Sequence, residues 1–245
     1  MKPTANSLAP PLPLNPSTSS PSDPGIPDYL EKNYWWAYLH PKAVRFFERE
    51  WLVNLILWGN FRRLRDLALA ELGNPIANKV LQVACVYGNF TQRIGARLGP
   101  GGSLDVVDVA PIQLANLEAK LPADSPVRLH CQDASRLHFA DASFDAVMLF
   151  FLLHEQPEAV RRATLAEALR VTRPGGRIVI VDYHKPLSGN PLRFLMRLVF
   201  RYLEPFAIDL WQQDIAAYLP AGTTFSAIAK ETFFGDLYQK VVLIR

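Results

Sequence analysis

Cysteine is nearly absent: Cys85 and Cys131 are the two in 245 residues. They cannot build a disulfide framework, and no Cys/His cluster has zinc-finger spacing. A reducing cytoplasmic setting is the expectation. An excess of one charge is lacking too, with 26 Lys and Arg against 23 Asp and Glu, a net of +3. That balance is too even for a dedicated nucleic-acid binder, which concentrates positive charge on one face. Long apolar runs are missing as well. The run WLVNLILWGNF at 51–61 contains Asn54 and is about half of the roughly 20 residues that cross a bilayer. No charged start, apolar stretch and cleavage site follow one another, so no secretory signal is expected. The first Arg is Arg45, unlike the Arg-rich start of a mitochondrial presequence.

What is present suffices for a sizeable core, with 49% hydrophobic and 20% charged residues. The length suits one domain with a cap. Residues 1–27 hold eight of the 20 prolines, with serines between them. This segment reads as a disordered tail, because its apolar content cannot offset the entropy of ordering. Residues 28–75 read as a helical cap. YLEKNYWWAYLHP opens it, and one long helical pattern runs over 42–72, with Phe47, Trp51, Leu55 and Trp58 on one face.

Residues 76–245 turn α/β. Strands are predicted at 79–85, 103–109, 127–132, 144–152 and 177–181, with helices at 90–98, 111–121 and 157–171 between them. Pro174-Gly175-Gly176 reads as the turn into the fifth strand. This alternation predicts right-handed βαβ units and a doubly wound, Rossmann-like, mostly parallel sheet. Two further strands within 226–245, meeting at Gly235-Asp236, add an antiparallel edge and bring the sheet to seven strands. An insertion at 187–220 carries Leu192, Leu195, Val199 and Tyr202 in one stripe and Arg193, Arg197 and Arg201 in another. It predicts a basic amphipathic helix.

In such folds the ligand lies beyond the carboxyl ends of the strands, at the topological switch point. VLQVACVYGNFTQ occupies the glycine-loop position, and Gly88 is its one glycine. Asp108, 20 residues further on, ends the second strand and suits a carboxylate that accepts bonds from ribose hydroxyls. Asp133 follows the third strand, and FADASFDAV and LRVTRPGGRIVIVD come after it. Each acid alone reads better as a helix cap or a solvated turn than as a cofactor contact. In this order they resemble the class I S-adenosylmethionine-dependent methyltransferases over 78–182. The resemblance implies Asp108 and Val109 at the ribose and Asp133 and Ala134 at the adenine. It also aligns Gln82 with the family's first-strand acid and Ala84, Val86 and Gly88 with its loop glycines.

The entry segment YLEKNYWWAYLHPKAVRFFEREWLVNLILWGNF, the altered loop VACVYGN, and LFFLLHEQPE together narrow the match. They resemble the rhodoquinone biosynthesis methyltransferases, which are related to the ubiquinone and menaquinone C-methyltransferases. This implies conversion of ubiquinone to rhodoquinone, in which an amino group replaces a ring methoxy group. It further implies S-adenosylmethionine as amino donor and a manganese(II) requirement. Candidate catalytic groups are Tyr87 in the loop, His154 and Glu155 after the fourth strand, and Asp182, Tyr183 and His184 at the end of the fifth. No metal-ligand set is identifiable. A lipid substrate implies peripheral contact with the inner face of the cytoplasmic membrane. Core packing is expected for the Trp-rich stripe and a surface role for the Arg-rich helix. An ordinary methyltransferase acting on a quinone precursor and a non-catalytic accessory subunit are the competing readings.

A carboxylate beside the cofactor's ammonium favours the charged amine, and a neutral Gln82 does so much less. Amino transfer needs the neutral amine. Restoring the acid in Gln82→Asp is therefore expected to lower amination, and unchanged turnover at saturating S-adenosylmethionine would contradict this account.

Overall fold

The computed structural model describes residues 24–245. The predicted tail lies outside these residues apart from its last four. Seven strands form one sheet, in the order β3-β2-β1-β4-β5-β7-β6. They are β1 (Lys79–Val83), β2 (Ser103–Asp108), β3 (Val127–Cys131), β4 (Phe144–Phe150), β5 (Thr172–Tyr183), β6 (Ala227–Phe233) and β7 (Tyr238–Ile244). β1 to β5 are parallel, and β7 runs antiparallel to both β5 and β6. The reversed strand therefore lies one place in from the edge. Pro174-Gly175-Gly176 is absorbed into β5 as an irregularity, where the register against β4 shifts between Phe144 and Ala146.

Helices α5 (Phe90–Gly95), α6 (Pro111–Glu118) and α7 (Glu158–Val171) make the crossovers. The sheet is covered on both faces. Period-2 alternation sends Val80 into one core, with Phe61, Leu64 and Phe90, and Leu81 into the other, with Leu165 and Ala168. The order reverses between β1 and β4, so the crevice of the fold opens at their carboxyl ends.

The cap departs from the expected long helix. It forms α1 (Asp28–Tyr34), a π-helical turn over Trp35–Leu39, α2 (Pro41–Phe47), α3 (Glu50–Ile56) and α4 (Phe61–Ala70). A continuous helix over 42–72 would be about 45 Å long and could not bend over the end of the sheet. The breaks fall where Arg49 is extended and where Trp58 and Gly59 take positive φ of 53° and 78°. Asn60 then donates its side-chain amide to the carbonyls of Leu57 and Trp58. The Trp-rich stripe is not core either, since Trp51 is 57% and Leu55 63% exposed.

In the insertion, α8 (Leu192–Tyr202) buries Met196 and Phe200, while Leu195 and Tyr202 of the predicted stripe face out. The short α9 (Asp209–Gln212) follows it. Arg161 of α7 ties this insertion to the sheet. Its guanidinium is fully buried and donates to the carbonyls of Leu153, Gln156 and Phe206 at 2.8–2.9 Å. It also lies over the Tyr218 ring at 4.7 Å. Replacing it strands three carbonyls. Arg161→Met is expected to cost about 3 kcal/mol or more, read as a lower urea midpoint at unchanged slope.

Candidate active site

A cavity of about 520 Å³ occupies the crevice beyond β1, β2 and β4. The cap forms its roof and α8 one side wall. Ala84, Val86, Tyr87, Asp108, Val109, Asp133, Ala134, His154 and Glu155 all line it.

The floor is the loop after β1. Ala84 stands at φ +72°, a left-handed conformation costing an L-residue roughly 1–2 kcal/mol. The glycine-type path of the loop thus persists without the glycine. Phe151 and Trp58, both at φ 53°, also line the cavity, and strained backbone of this kind gathers at functional sites.

Gln82 and Gly88 lie under the loop rather than on the cavity wall. Gln82 is fully buried, donates from Nε2 to the Ala84 carbonyl at 2.9 Å and accepts from Thr91 Oγ1 at 2.9 Å. Strand alternation turns its side chain towards α5, so it shapes the loop from below. Gly88 has φ +82°, and a Cβ there would meet the Phe61 ring at 3.0 Å. Its N–H donates to Glu48 Oε1 at 3.1 Å.

Asp108 is fixed by two backbone donors, Cys85 N–H at 2.7 Å on Oδ2 and Ala110 N–H at 2.8 Å on Oδ1. Burial pushes its carboxyl above the usual range, opposed by those N–H groups. Each oxygen keeps a further lone pair, so Asp108 can still accept a ribose hydroxyl. Asp133 is bonded through Oδ1 to Ser135 N–H and Oγ at 2.8 and 2.7 Å. With Val86, Val109 and Ala134 supplying apolar walls, the nucleoside half of S-adenosylmethionine fits this end of the cavity. Burial also pushes the Cys85 thiol well up, which keeps it unreactive.

At the opposite wall, a 3₁₀ turn over Leu153–Glu155 carries His154 and Glu155 off the end of β4. Asp182, at the end of neighbouring β5, is fully buried. Its Oδ2 accepts the N–H of Leu153 at 2.9 Å, and its Oδ1 lies 2.9 Å from His154 Nδ1. That leaves His154 Nε2 facing Glu155 Oε1 at 3.7 Å and Glu204 Oε2 at 3.9 Å. Burial opposes charge on His154, but Asp182 and the two glutamates outweigh it and raise the imidazole to about 9. Burial raises the Glu155 carboxyl to about 8, although His154 and the Tyr38 hydroxyl that donates to it pull the other way. The carboxyl of Glu204 is raised for the same reason of burial. The result is a proton-exchanging cluster poised near neutral pH, suited to general acid–base work.

Two candidates behave differently from expectation. Tyr87 lines the cavity, but its hydroxyl is engaged, donating to Ala37 O at 2.6 Å and accepting from Gln113 Nε2 at 2.8 Å. Its ring stacks between Tyr38 and Phe47 at 5.6 and 6.2 Å. It joins loop to cap and carries no free acid or base. His184 lies outside the cavity, because the chain turns away after β5 and ties its Nδ1 to Asp236 O at 2.9 Å. Among the described residues, no group of three or more His, Cys, Asp or Glu side chains is disposed to hold a metal. The expected manganese(II) therefore finds no ligand set among the described residues. Sequence reasoning misses Glu204, whose one signal is that it is the sole acid between Asp182 and Asp209.

Comparison with known proteins agrees with this fold. Residues 80–176 match the methyltransferase domain family. The chain is 33% identical over 146 residues to the ubiquinone/menaquinone biosynthesis C-methyltransferase UbiE of Ectopseudomonas mendocina, covering 58% of this chain and 55% of that one. It is 30% identical over 167 residues to a demethylmenaquinone methyltransferase of Staphylococcus aureus, covering 68% of each. Among solved structures, a SAM-dependent methyltransferase from Aquifex aeolicus superposes with a TM-score of 0.54 at 17% identity, over 84% of this chain and 98% of that one. The N-methyltransferase NodS of Bradyrhizobium japonicum, in complex with S-adenosyl-L-homocysteine, has a TM-score of 0.54 at 14% identity, over 82% and 90%.

The His154–Asp182 pair has a signature in titration. A base raised from 6.5 to about 9 on folding contributes stability that is complete below pH 6.5 and lost as pH climbs through 9. In Asp182→Asn the ring keeps its burial and loses its main charged partner, so its pKa is expected to fall towards 6.5. NMR of the His154 ring protons measures this, and a titration unaltered by the substitution would assign the shift to another group.

Proposed function

Since the chain belongs to the class I S-adenosylmethionine-dependent methyltransferases, related to the quinone C-methyltransferases, we propose that it converts ubiquinone to rhodoquinone, replacing a ring methoxy group with an amino group. The observation that carries this reading is the wall opposite the nucleoside end. There His154, raised to about 9, and Glu155, raised to about 8, face a cavity lined mostly by apolar and aromatic side chains. The first-strand position that would hold an acid is a buried, neutral Gln82.

S-adenosylmethionine supplies the nitrogen of its amino group in this reading. Asp108 and Asp133 hold its nucleoside part, and Gln82, beneath the loop and off the cavity wall, adds no negative charge behind it. Glu155, once ionised, takes the proton that the amine must lose. A ring carbon bearing methoxy is electrophilic because it is conjugated to a ring carbonyl. When nitrogen adds there, charge moves onto that carbonyl oxygen, and His154 Nε2–H donates to it. Methoxide leaves and takes up a proton as methanol, so the nitrogen then joins the ring to the donor's α-carbon. Loss of the proton on that carbon passes two electrons into the quinone and leaves a nitrogen–carbon double bond, which water hydrolyses to the aminohydroquinone, the reduced form of the product, and an α-keto acid. Asp182 holds His154 charged and correctly turned throughout, as a positioning residue. The named relatives favour a second reading, methyl transfer to a quinone-precursor ring carbon, in which Glu155 removes the ring proton.

The deciding experiment supplies a short-tailed ubiquinone analogue and S-adenosylmethionine carrying nitrogen-15 in its amino group and carbon-13 in its methyl. Loss of methoxy with gain of nitrogen-15 is expected by mass spectrometry. Gain of the carbon-13 methyl would replace amino transfer with the second reading. Turnover should rise as Glu155 ionises through about pH 8 and fall as His154 loses its charge above about 9. Tyr38→Phe removes a donor that favours ionised Glu155, so the rising limb should move to higher pH while the falling limb stays.

A further inference from the structure

The mouth of the cavity is apolar and belongs to two helices. Of the residues that line it, the most exposed are Ile56, Trp58 and Leu203, at 46%, 39% and 45%. Ile56 ends α3, Trp58 follows it, and Leu203 follows α8. Among the described lining residues, no charged side chain is as exposed as these three. The same two helices carry the apolar surface outward. Trp51 and Leu55 continue it on α3, and Phe194, Leu198 and Tyr202 on α8, where Phe194 and Tyr202 are each 71% exposed. Clustered apolar exposure of this kind marks an interaction surface.

The pattern on α8 says what covers it. At about 100° per residue, Phe194, Leu198 and Tyr202 form one row and Arg193, Arg197 and Arg201 the row beside it, with Met196 and Phe200 turned inward. No acid lies within α8, and no carboxylate among the described residues pairs with these three arginines. An apolar row that can sink into acyl chains, flanked by cations at headgroup height, is complementary to an anionic lipid surface. Trp51 and Trp58 are of the type favoured at the membrane interface. No described helix is long and apolar enough to cross a membrane, so contact would be made from one side.

We propose that α3 and α8 form a lateral portal that docks on an anionic bilayer, so that the substrate's hydrocarbon tail enters between Ile56, Trp58 and Leu203 without crossing water. Entry of the tail rests on the quinone reading above, whereas docking does not.

The test pairs vesicle co-sedimentation with turnover of two quinones, a short-tailed one in solution and a long-tailed one in vesicles. The protein is expected to bind phosphatidylcholine vesicles containing phosphatidylglycerol far better than phosphatidylcholine alone. Replacing Arg193, Arg197 and Arg201 with Gln should cost about a hundredfold in that affinity. Phe194→Asp with Leu198→Asp, at exposed positions outside the cavity lining, should abolish binding and cut long-tailed turnover at least tenfold. Short-tailed turnover should be unchanged. Equal affinity for both vesicle types, or unaltered affinity in the Gln variant, would overturn docking. Long-tailed turnover surviving the loss of binding would overturn the portal. If vesicles bind as expected and neither quinone reacts, the reading of the reaction fails while the docking surface stands.

Discussion

Asp182 organises the site from a position with no access to solvent. Its two oxygens carry the backbone N–H groups of Leu153, His154 and Tyr183 as well as the His154 ring. A buried carboxylate is tolerable only when its lone pairs are filled in this way. The filling partners are the turn at the end of β4, so the charge that needs satisfying also fixes where that turn lies. Glu155 is carried with it. Arg161 holds the same turn from behind through the carbonyls of Leu153 and Gln156. Asp182 and Arg161, both removed from water, thereby set the position of His154 and Glu155 in the cavity.

The cap completes what the sheet begins. Tyr38 reaches Glu155 from a π-helical turn 117 residues earlier in the chain, and π turns recur at functional positions. Glu48, between α2 and α3, accepts from Gly88 N–H, Asn116 and Lys120, joining roof, floor and α6. The strain at Ala84 is bearable because its surroundings over-determine it. Its N–H is taken by Val107 O, and its carbonyl is held by Gln82.

The sheet was legible in the sequence because burial on both faces leaves a mark: FDAVMLF and VLQV have no solvent side to encode. Asp108 and Asp133 were legible because they sit at strand ends, where the fold itself puts ligands. The stretch 42–72 reads as one helix because apolar periodicity runs on through its breaks, and the breaks depend on tertiary packing over the crevice. Alignment with the family's first-strand acid puts Gln82 at the cofactor, but period-2 alternation turns it beneath the loop. Tyr38 and Glu204 were beyond sequence reasoning, since each acquires its role only by meeting His154 or Glu155 across the fold.

The bonds between loop and cap have a consequence for traffic. Tyr87 belongs to the floor under the nucleoside end, yet its hydroxyl holds Ala37 in the roof, and Gln113 grips Tyr87 and the Tyr38 carbonyl together. The roof at Ala37 therefore cannot shift without breaking a bond to the floor. One tyrosine hydroxyl makes the two halves of the cavity a single mechanical unit, so a change in the cap is felt under the nucleoside end.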